Sequence, residues 1–156
     1  MEIRIARADD AANISALLKR VAPAFTLHPQ GLGAEAFLQG LEPEAVRGFL
    51  TAENVVCHVA VAGARLAGML AIREHRHLFR LAVDPAFQGR GTGRALWRQA
   101  QAAALAAGNR DRFTVDSTRS ALPFYERLGF RVTGPLVETR GLAFVPMELR
   151  LAAGTP

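Results

Sequence analysis

The sequence predicts a mixed α/β (α+β) domain in which helices cover both faces of a mostly antiparallel central sheet. Three observations carry this. The apolar period switches between 2 and 3.6 along the chain, in the order β α α β β β α β α β β. The three strand-like runs in the middle follow one another through short turns, which makes them antiparallel neighbours. Half of the 156 residues are hydrophobic and 21% are charged, enough to bury one core, so residues 1–156 are expected to form a single domain.

Each element follows from its local pattern. Met1-Glu2-Ile3-Arg4-Ile5-Ala6-Arg7 alternates polar and apolar, as a first strand does. Asp9 is placed to cap a helix whose stripe is Ala12, Ile14, Leu17, Leu18 and Val21, and Pro23 stops it. The stretch His28-Pro29-Gln30-Gly31-Leu32-Gly33 leads into a helical region over residues 34–52, broken before Pro43, which suits a first helical position. Residues 55–61 and 66–72 then read as strands joined by Ala62-Gly63-Ala64, and a third strand covers 77–83. From Gln88 the pattern is helical again, with Leu96, Ala100, Ala103, Ala104 and Ala107 on one side and Arg94, Arg98 and Gln101 on the other, ending at Gly108. A strand over 112–116, a helix over 120–128 closed by Gly129, a strand from Phe130, a loop at Gly134-Pro135 and a last strand over 143–151 complete the order.

Composition narrows the function classes. The lone Cys57 has no partner for a disulfide and no second thiol for a metal cluster, which suits a reducing compartment and predicts a cytoplasmic protein. On its apolar strand, Cys57 reads as a small core residue. The first residues lack the apolar run of a signal peptide, and no stretch approaches the roughly 20 apolar residues that span a bilayer, so no membrane association is expected. The net charge of +5 comes from eighteen arginines and one lysine, Lys19. Those arginines are scattered and not interleaved with aromatics, so nucleic acid is not an expected partner. The positive balance favours acidic partners in general.

The chemistry concentrates in Leu81-Ala82-Val83-Asp84-Pro85-Ala86-Phe87-Gln88-Gly89-Arg90-Gly91-Thr92-Gly93-Arg94, where a strand ends and a glycine-rich loop opens into a helix. Glycines at 89, 91 and 93 permit positive φ and close backbone approach, and the helix start presents free N–H groups and the positive end of its dipole. This is a phosphate cradle, to which Arg90 and Arg94 add guanidinium donors. A Walker loop requires a lysine after its glycines and none stands there; a dinucleotide fingerprint requires a different glycine spacing after the first strand of a βαβ unit. What fits is Gln88-x-x-Gly91-x-Gly93. A second motif follows at Ala121-Leu122-Pro123-Phe124-Tyr125-Glu126-Arg127-Leu128-Gly129-Phe130, after a strand and a polar residue. Together they resemble the GNAT superfamily of acetyl-CoA-dependent N-acetyltransferases, specifically over residues 77–130 and as an element order over 3–151. One departure is Thr118, where many members carry asparagine.

The resemblance implies a splayed sheet whose gap receives the pantetheine arm along Leu81, Ala82 and Val83, with Gln88, Gly89, Arg90, Gly91, Thr92, Gly93 and Arg94 at the pyrophosphate and Thr118 supplying a further cofactor bond. It implies transfer of an acetyl group from acetyl-CoA to a primary amine, with no metal, and Tyr125 as the acid that protonates the departing thiolate. For the base, His77 leads by strand position, since period 2 puts it on one face with Phe79, Leu81 and Val83. Glu74 and the absence of any side-chain base stay open beside it, while Asp84 before Pro85 reads as turn chemistry. His75 and His77 have a metal-compatible spacing but no third ligand. The acceptor, a small molecule or protein amine, is expected between residues 22–52 and the C-terminal strands, and the positive charge favours one bearing an acid group. The alternative is an acyl-CoA-binding module of the same fold without turnover. Trp97 reads as packing or interface, and a homodimer is compatible with the family.

Overall fold

A computed structural model describes residues 1–152, so the expected domain end at 156 lies beyond the described residues. The chain runs β1 (Glu2–Ile5), α1 (Ala11–Val21), α2 (Glu35–Gln39), α3 (Pro43–Leu50), β2 (Val55–Ala62), β3 (Arg65–Arg73), β4 (His77–Val83), α4 (Thr92–Ala106), β5 (Arg112–Ser117), α5 (Leu122–Leu128), β6 (Arg131–Val132), β7 (Val137–Thr139) and β8 (Leu142–Arg150). The sheet order is β1-β2-β3-β4-β5-β8-β6, with β7 paired to β8, and every neighbouring pair is antiparallel except β4–β5. The mixed, mostly antiparallel architecture is the one the periodicity predicts.

One face of the sheet buries Leu70, Ile72, Leu78, Phe113 and Val115 against Leu96, Trp97, Ala100 and Ala104 of α4 and Tyr125 of α5. The other buries Val59, Met69, Ala71 and Ala82 against Ile14, Leu17 and Leu18 of α1 and Val46 of α3. Trp97 packs edge-on against Phe113 and Phe130, at 5.0 and 5.3 Å between ring centroids, so it is a core residue.

Three local expectations shift. The chain enters α1 through a 3-10 turn, and the carboxylate that caps it belongs to Asp10, not Asp9: it accepts the Arg7 N–H at 2.7 Å and both arms of Arg4 at 2.9 and 3.0 Å. Helix α4 starts at Thr92 because Gly89 and Gly91, at φ 74° and 79°, leave the right-handed helical region. The stretch read as a loop before the last strand holds β7, joined to β8 through Arg140 and Gly141 at φ 49° and 75°. That hairpin carries Gly141 onto the loop after α1, where Leu27 N–H donates to its carbonyl at 2.8 Å. A Cβ on Gly141 would lie 2.5 Å from the Gly33 backbone.

The register of β4 positions the site. Ala71 of β3 faces Arg80 and Ile72 faces Leu78, which leaves Phe79 as the extra residue of a β-bulge. On its other side β4 pairs with β5 only at His77–Thr114 and Leu78–Val115. From Phe79 onward the two parallel strands separate, and the sheet splits into two arms.

Candidate active site

The splay leaves the β5-side backbone of residues 79–83 without a strand partner. A cleft of about 820 Å3 opens there. Buried backbone groups left without a partner are costly, so such a gap fits a ligand that runs along the strand. Leu81, Ala82, Val83, Gln88, Gly89, Gly91, Thr92, Gly93, Arg94, Thr118 and Tyr125 all line the cleft. Gly91 precedes α4 with no side-chain cap, so the first N–H groups of this fifteen-residue helix stand free at the cleft mouth. Diphosphate is a suitable occupant for that position.

The glycines divide into two kinds. Gly89 and Gly91 hold positive φ, and a Cβ at either would meet nothing within 4 Å, so what excludes other residues there is backbone conformation. Gly93 lies inside α4 and does not take the positive φ the sequence suggests; what disfavours a side chain there is packing, since a Cβ would come within 3.1 Å of the Phe124 ring of α5, which would have to shift.

The polar side chains around the loop are partly engaged. Gln88 Nε2 donates to Val83 O at 3.1 Å, and the Thr92 hydroxyl donates to Phe87 O at 3.3 Å. Thr118 Oγ1 accepts the Ala121 N–H at 3.2 Å and contacts Ser120 Oγ at the same distance. Arg90 is outside the cleft lining: it is exposed and stacks over Phe87, 5.6 Å from the ring centroid.

A second cavity, of about 310 Å3, adjoins the first and shares Val21, Phe25, Leu81, Asp116 and Tyr125 with it. It is walled by Ala22, Phe37 and Leu41 from the early helices and by Leu142 and Phe144 of β8, the two regions between which the acceptor is expected. Tyr125 therefore stands where the cavities meet. Burial pushes its phenol above the ordinary tyrosine value, which keeps it protonated.

His77 lines only the smaller cavity. Its Nδ1 is 2.8 Å from Thr114 Oγ1, and burial lowers its pKa, with Asp116 opposing and Arg73 and Arg80 reinforcing the shift. The bulge changes its neighbours. His77 shares a face with Phe79, but Leu81 packs with Leu78 on the α4 side, and Val83 lies within 3.7 Å of a Cβ on Gly93, so the single face expected from period 2 does not exist.

The rivals for the base sit elsewhere. Glu74 and His75 form the β3–β4 hairpin tip, both with positive φ, and Glu74 Oε1 accepts from Asn54 Nδ2 at 3.0 Å. Asp84 accepts the Ala86 N–H at 2.9 Å and the guanidinium groups of Arg20 and Arg65 at 3.0 and 3.2 Å; these hold its carboxyl below the usual range, the backbone bond first. It is the turn residue the sequence suggests. Cys57 is buried and its thiol is pushed up to about 12, so it is no nucleophile at neutral pH. Among the described residues, no group of three or more His, Cys, Asp or Glu is arranged to hold a metal.

Sequence reading missed Asp116, which lines both cavities, and Arg80, which lines the smaller one. The signal for Arg80 was present: it is a charge inside the apolar run Leu78-Phe79-Arg80-Leu81, where strand alternation gives it no solvent face.

No curated protein matches the chain in sequence. Solved structures match it in fold. A GCN5-related N-acetyltransferase from Rhodopseudomonas palustris superposes with a TM-score of 0.78 over 96% of this chain and 95% of that one, at 20% identity. An aminoglycoside 6'-N-acetyltransferase complexed with coenzyme A gives 0.75 over the whole of both chains at 13% identity. The PaiA N-acetyltransferase of Thermoplasma acidophilum, in complex with coenzyme A, gives 0.74 over 96% of this chain and 99% of that one at 17% identity. The family model of the acetyltransferase (GNAT) domain matches residues 24–151. With that match spanning both motifs and the splayed sheet beneath them, the chain belongs to the GNAT acetyltransferase family.

Proposed function

We propose that this protein is an acyltransferase that moves an acetyl group from acetyl-CoA to the primary amine of an acceptor, by direct attack with both substrates bound. The observation that carries this reading is the junction at Tyr125. One cavity there runs along unpartnered strand backbone to a helix N-terminus, and the other opens toward the early helices and β8. We read residues 1–156 as one domain acting in the cytoplasm; among the described residues no helix is long and apolar enough to cross a membrane.

Acetyl-CoA supplies an activated acyl carbon and a thiolate leaving group. In this reading the backbone of Leu81, Ala82 and Val83 pairs with the pantetheine arm. The N–H groups from Gly89 to Arg94 bind the pyrophosphate, and Arg94 adds a guanidinium at the cleft mouth. Thr118, already engaged by Ala121 and Ser120, orders the start of α5 and so sets the position of Tyr125. Arg90 acts by long-range attraction on the diphosphate from outside the cleft.

Two protons move. His77, neutral at physiological pH because burial lowers its pKa, accepts one from the acceptor ammonium directly or through water. Tyr125, kept protonated by its own burial, donates the other to the departing sulfur. A dry site raises phenol and thiol alike, so the two acids stay matched as both move up.

Thiol release across a panel of amine acceptors, alongside calorimetry with acetyl-CoA, tests the reading. Binding with turnover supports it. Binding without thiol release from any amine leaves a non-catalytic acyl-CoA module, and no heat of association in a folded sample removes the reading altogether.

A further inference from the structure

Arg80 is an arginine in the wrong place for structure alone. The bulge at Phe79 turns both residues toward the face covered by the early helices. The guanidinium lies 5.4 Å from the ring centroids of Phe37 and Phe79, its Nη1 donates to Phe79 O at 2.9 Å, and its Nε is shielded from solvent with no hydrogen-bond partner. Arg73 lies over the same Phe79 ring at 5.1 Å. Among the described residues, none of the ion pairs includes either arginine, although Asp84, Asp111 and Glu148 each take two. Arg73 is exposed to solvent, whereas the Arg80 guanidinium is half-buried and does not escape by losing its proton. The one carboxylate of the cavity they line, Asp116, pairs with neither of them, so Arg80 faces that cavity without a contacting anion.

The rest of the cavity describes what carries that anion. Arg80 lines only the smaller cavity, whereas Asp116 and Tyr125 line both. An ammonium beside Tyr125 then faces the Asp116 carboxylate, and an acid group at the other end of the same molecule faces Arg80. Phe25, Phe37 and Phe144 supply apolar wall to the same cavity. A volume of about 310 Å3 suits a molecule of amino-acid size.

We propose that the smaller cavity is a carboxylate subsite in which Arg80, seconded by Arg73, holds the acid group of an amino-acid-sized acceptor with an apolar side chain. This rests on the acetyltransferase reading for the identity of the acceptor, and on the geometry of Arg80 for the anion. The planar fork of the guanidinium matches a carboxylate in two parallel hydrogen bonds, and stacking between aromatic rings holds the fork in orientation.

Calorimetry on the full chain with coenzyme A present, using N-acetyl-L-phenylalanine and N-acetyl-L-leucine against their carboxamides, tests the subsite without needing turnover. The acids are expected to bind about tenfold or more tighter than the amides, which are of the same size but lack the charge and offer an NH2 donor where the carboxylate accepts. In Arg80→Met the acid-to-amide ratio is expected to fall to about twofold or less, and in Arg80→Lys, which keeps a point charge in place of the fork, to an intermediate value. Equal binding of acid and amide, a ratio that survives Arg80→Met, or no binding of either acid overturns the proposal. Thiol release by the wild-type chain from free L-phenylalanine, L-leucine and their amides separates the two ideas. Turnover with no preference for the acids removes the subsite and leaves the acetyltransferase reading standing. Acid-selective binding with no thiol release from these amines or from any of the wider panel removes that reading and leaves the subsite.

Discussion

Replacing Tyr125 by phenylalanine deletes one oxygen and leaves the packing in place. The ring meets Phe124 and Phe130 edge-on at 5.1 and 5.6 Å between centroids, contacts worth about 0.5–1.5 kcal/mol each, and both survive the change. Tyr125 lines both cavities, and removing one oxygen leaves its ring in place against the core. Stability is therefore expected to change by less than about 1 kcal/mol. A proton donor in the transition state contributes about 10²–10⁴ in rate, so the barrier to thiol release should rise by about 3–5 kcal/mol. Acetyl-CoA affinity, which this reading assigns to the glycine loop and β4, should stay within about twofold. Burial holds the phenol above its ordinary value, so the wild-type rate should show no alkaline loss from this group below about pH 10. Steady-state thiol release gives kcat, and calorimetry gives the affinity. A loss of kcat under about threefold, or an affinity that falls in step with the rate, refutes the assignment of Tyr125 as the acid.

Other consequences follow from the same geometry. Gly93→Ala places a methyl 3.1 Å from the Phe124 ring and should cost about 1–3 kcal/mol in denaturant unfolding as α5 is forced off α4; a cost near zero would mean the ring yields freely. Asp84→Asn should destabilise the fold at neutral pH. Because the folded carboxyl titrates below its ordinary value, the wild-type advantage is fully present above about pH 3.9 and disappears as pH falls through the lowered folded value; unfolding midpoints that fail to converge in acid would contradict this. His77→Gln should remove the acid limb of the kcat/KM profile. In the wild type that limb should lie below the ordinary imidazole value of about 6.5, since burial favours the neutral ring, and a limb above it or one that persists in the variant would exclude His77 as the base.

Most of the element order was readable because its signals are local. Pro23 and Pro43 punctuate the early helices, Gly129 closes α5 at φ 103°, and the change of period at Val55 announces the meander. Boundaries slipped where another turn intervened, a 3-10 turn ending at Asp10 and a left-handed one at Gly89 to Gly91. The two-residue strand β6 and the three-residue strand β7 exist because β8 is there to pair with them, and segments that short carry too little pattern to be seen alone.

At the site, the glycine loop and the motif around Tyr125 stood in the chain as contiguous residues, so their meeting in one cleft was legible. The base was not. The bond that Glu74 makes to Asn54 was not readable, and although Asp84 before Pro85 already read as turn chemistry, its ion pair with Arg20, sixty-four residues away, was not. Arg90 left the cleft because Phe87 offers its guanidinium a ring to stack on.

By itself, then, the sequence determined which segments are strands and helices, the left-handed loop ahead of α4 and the family to which those motifs belong, all of them properties of neighbours along the chain. Tertiary structure alone decided the bulge at Phe79, the point after Leu78 at which the expected gap between β4 and β5 opens, and the placing of Arg80 on a cavity whose carboxylate does not pair with it. The physical reason is that strand register is settled between chains of residues distant in sequence. β4 pairs with β3 and, across a longer stretch of chain, with β5, and no local pattern records where those pairings bulge or end.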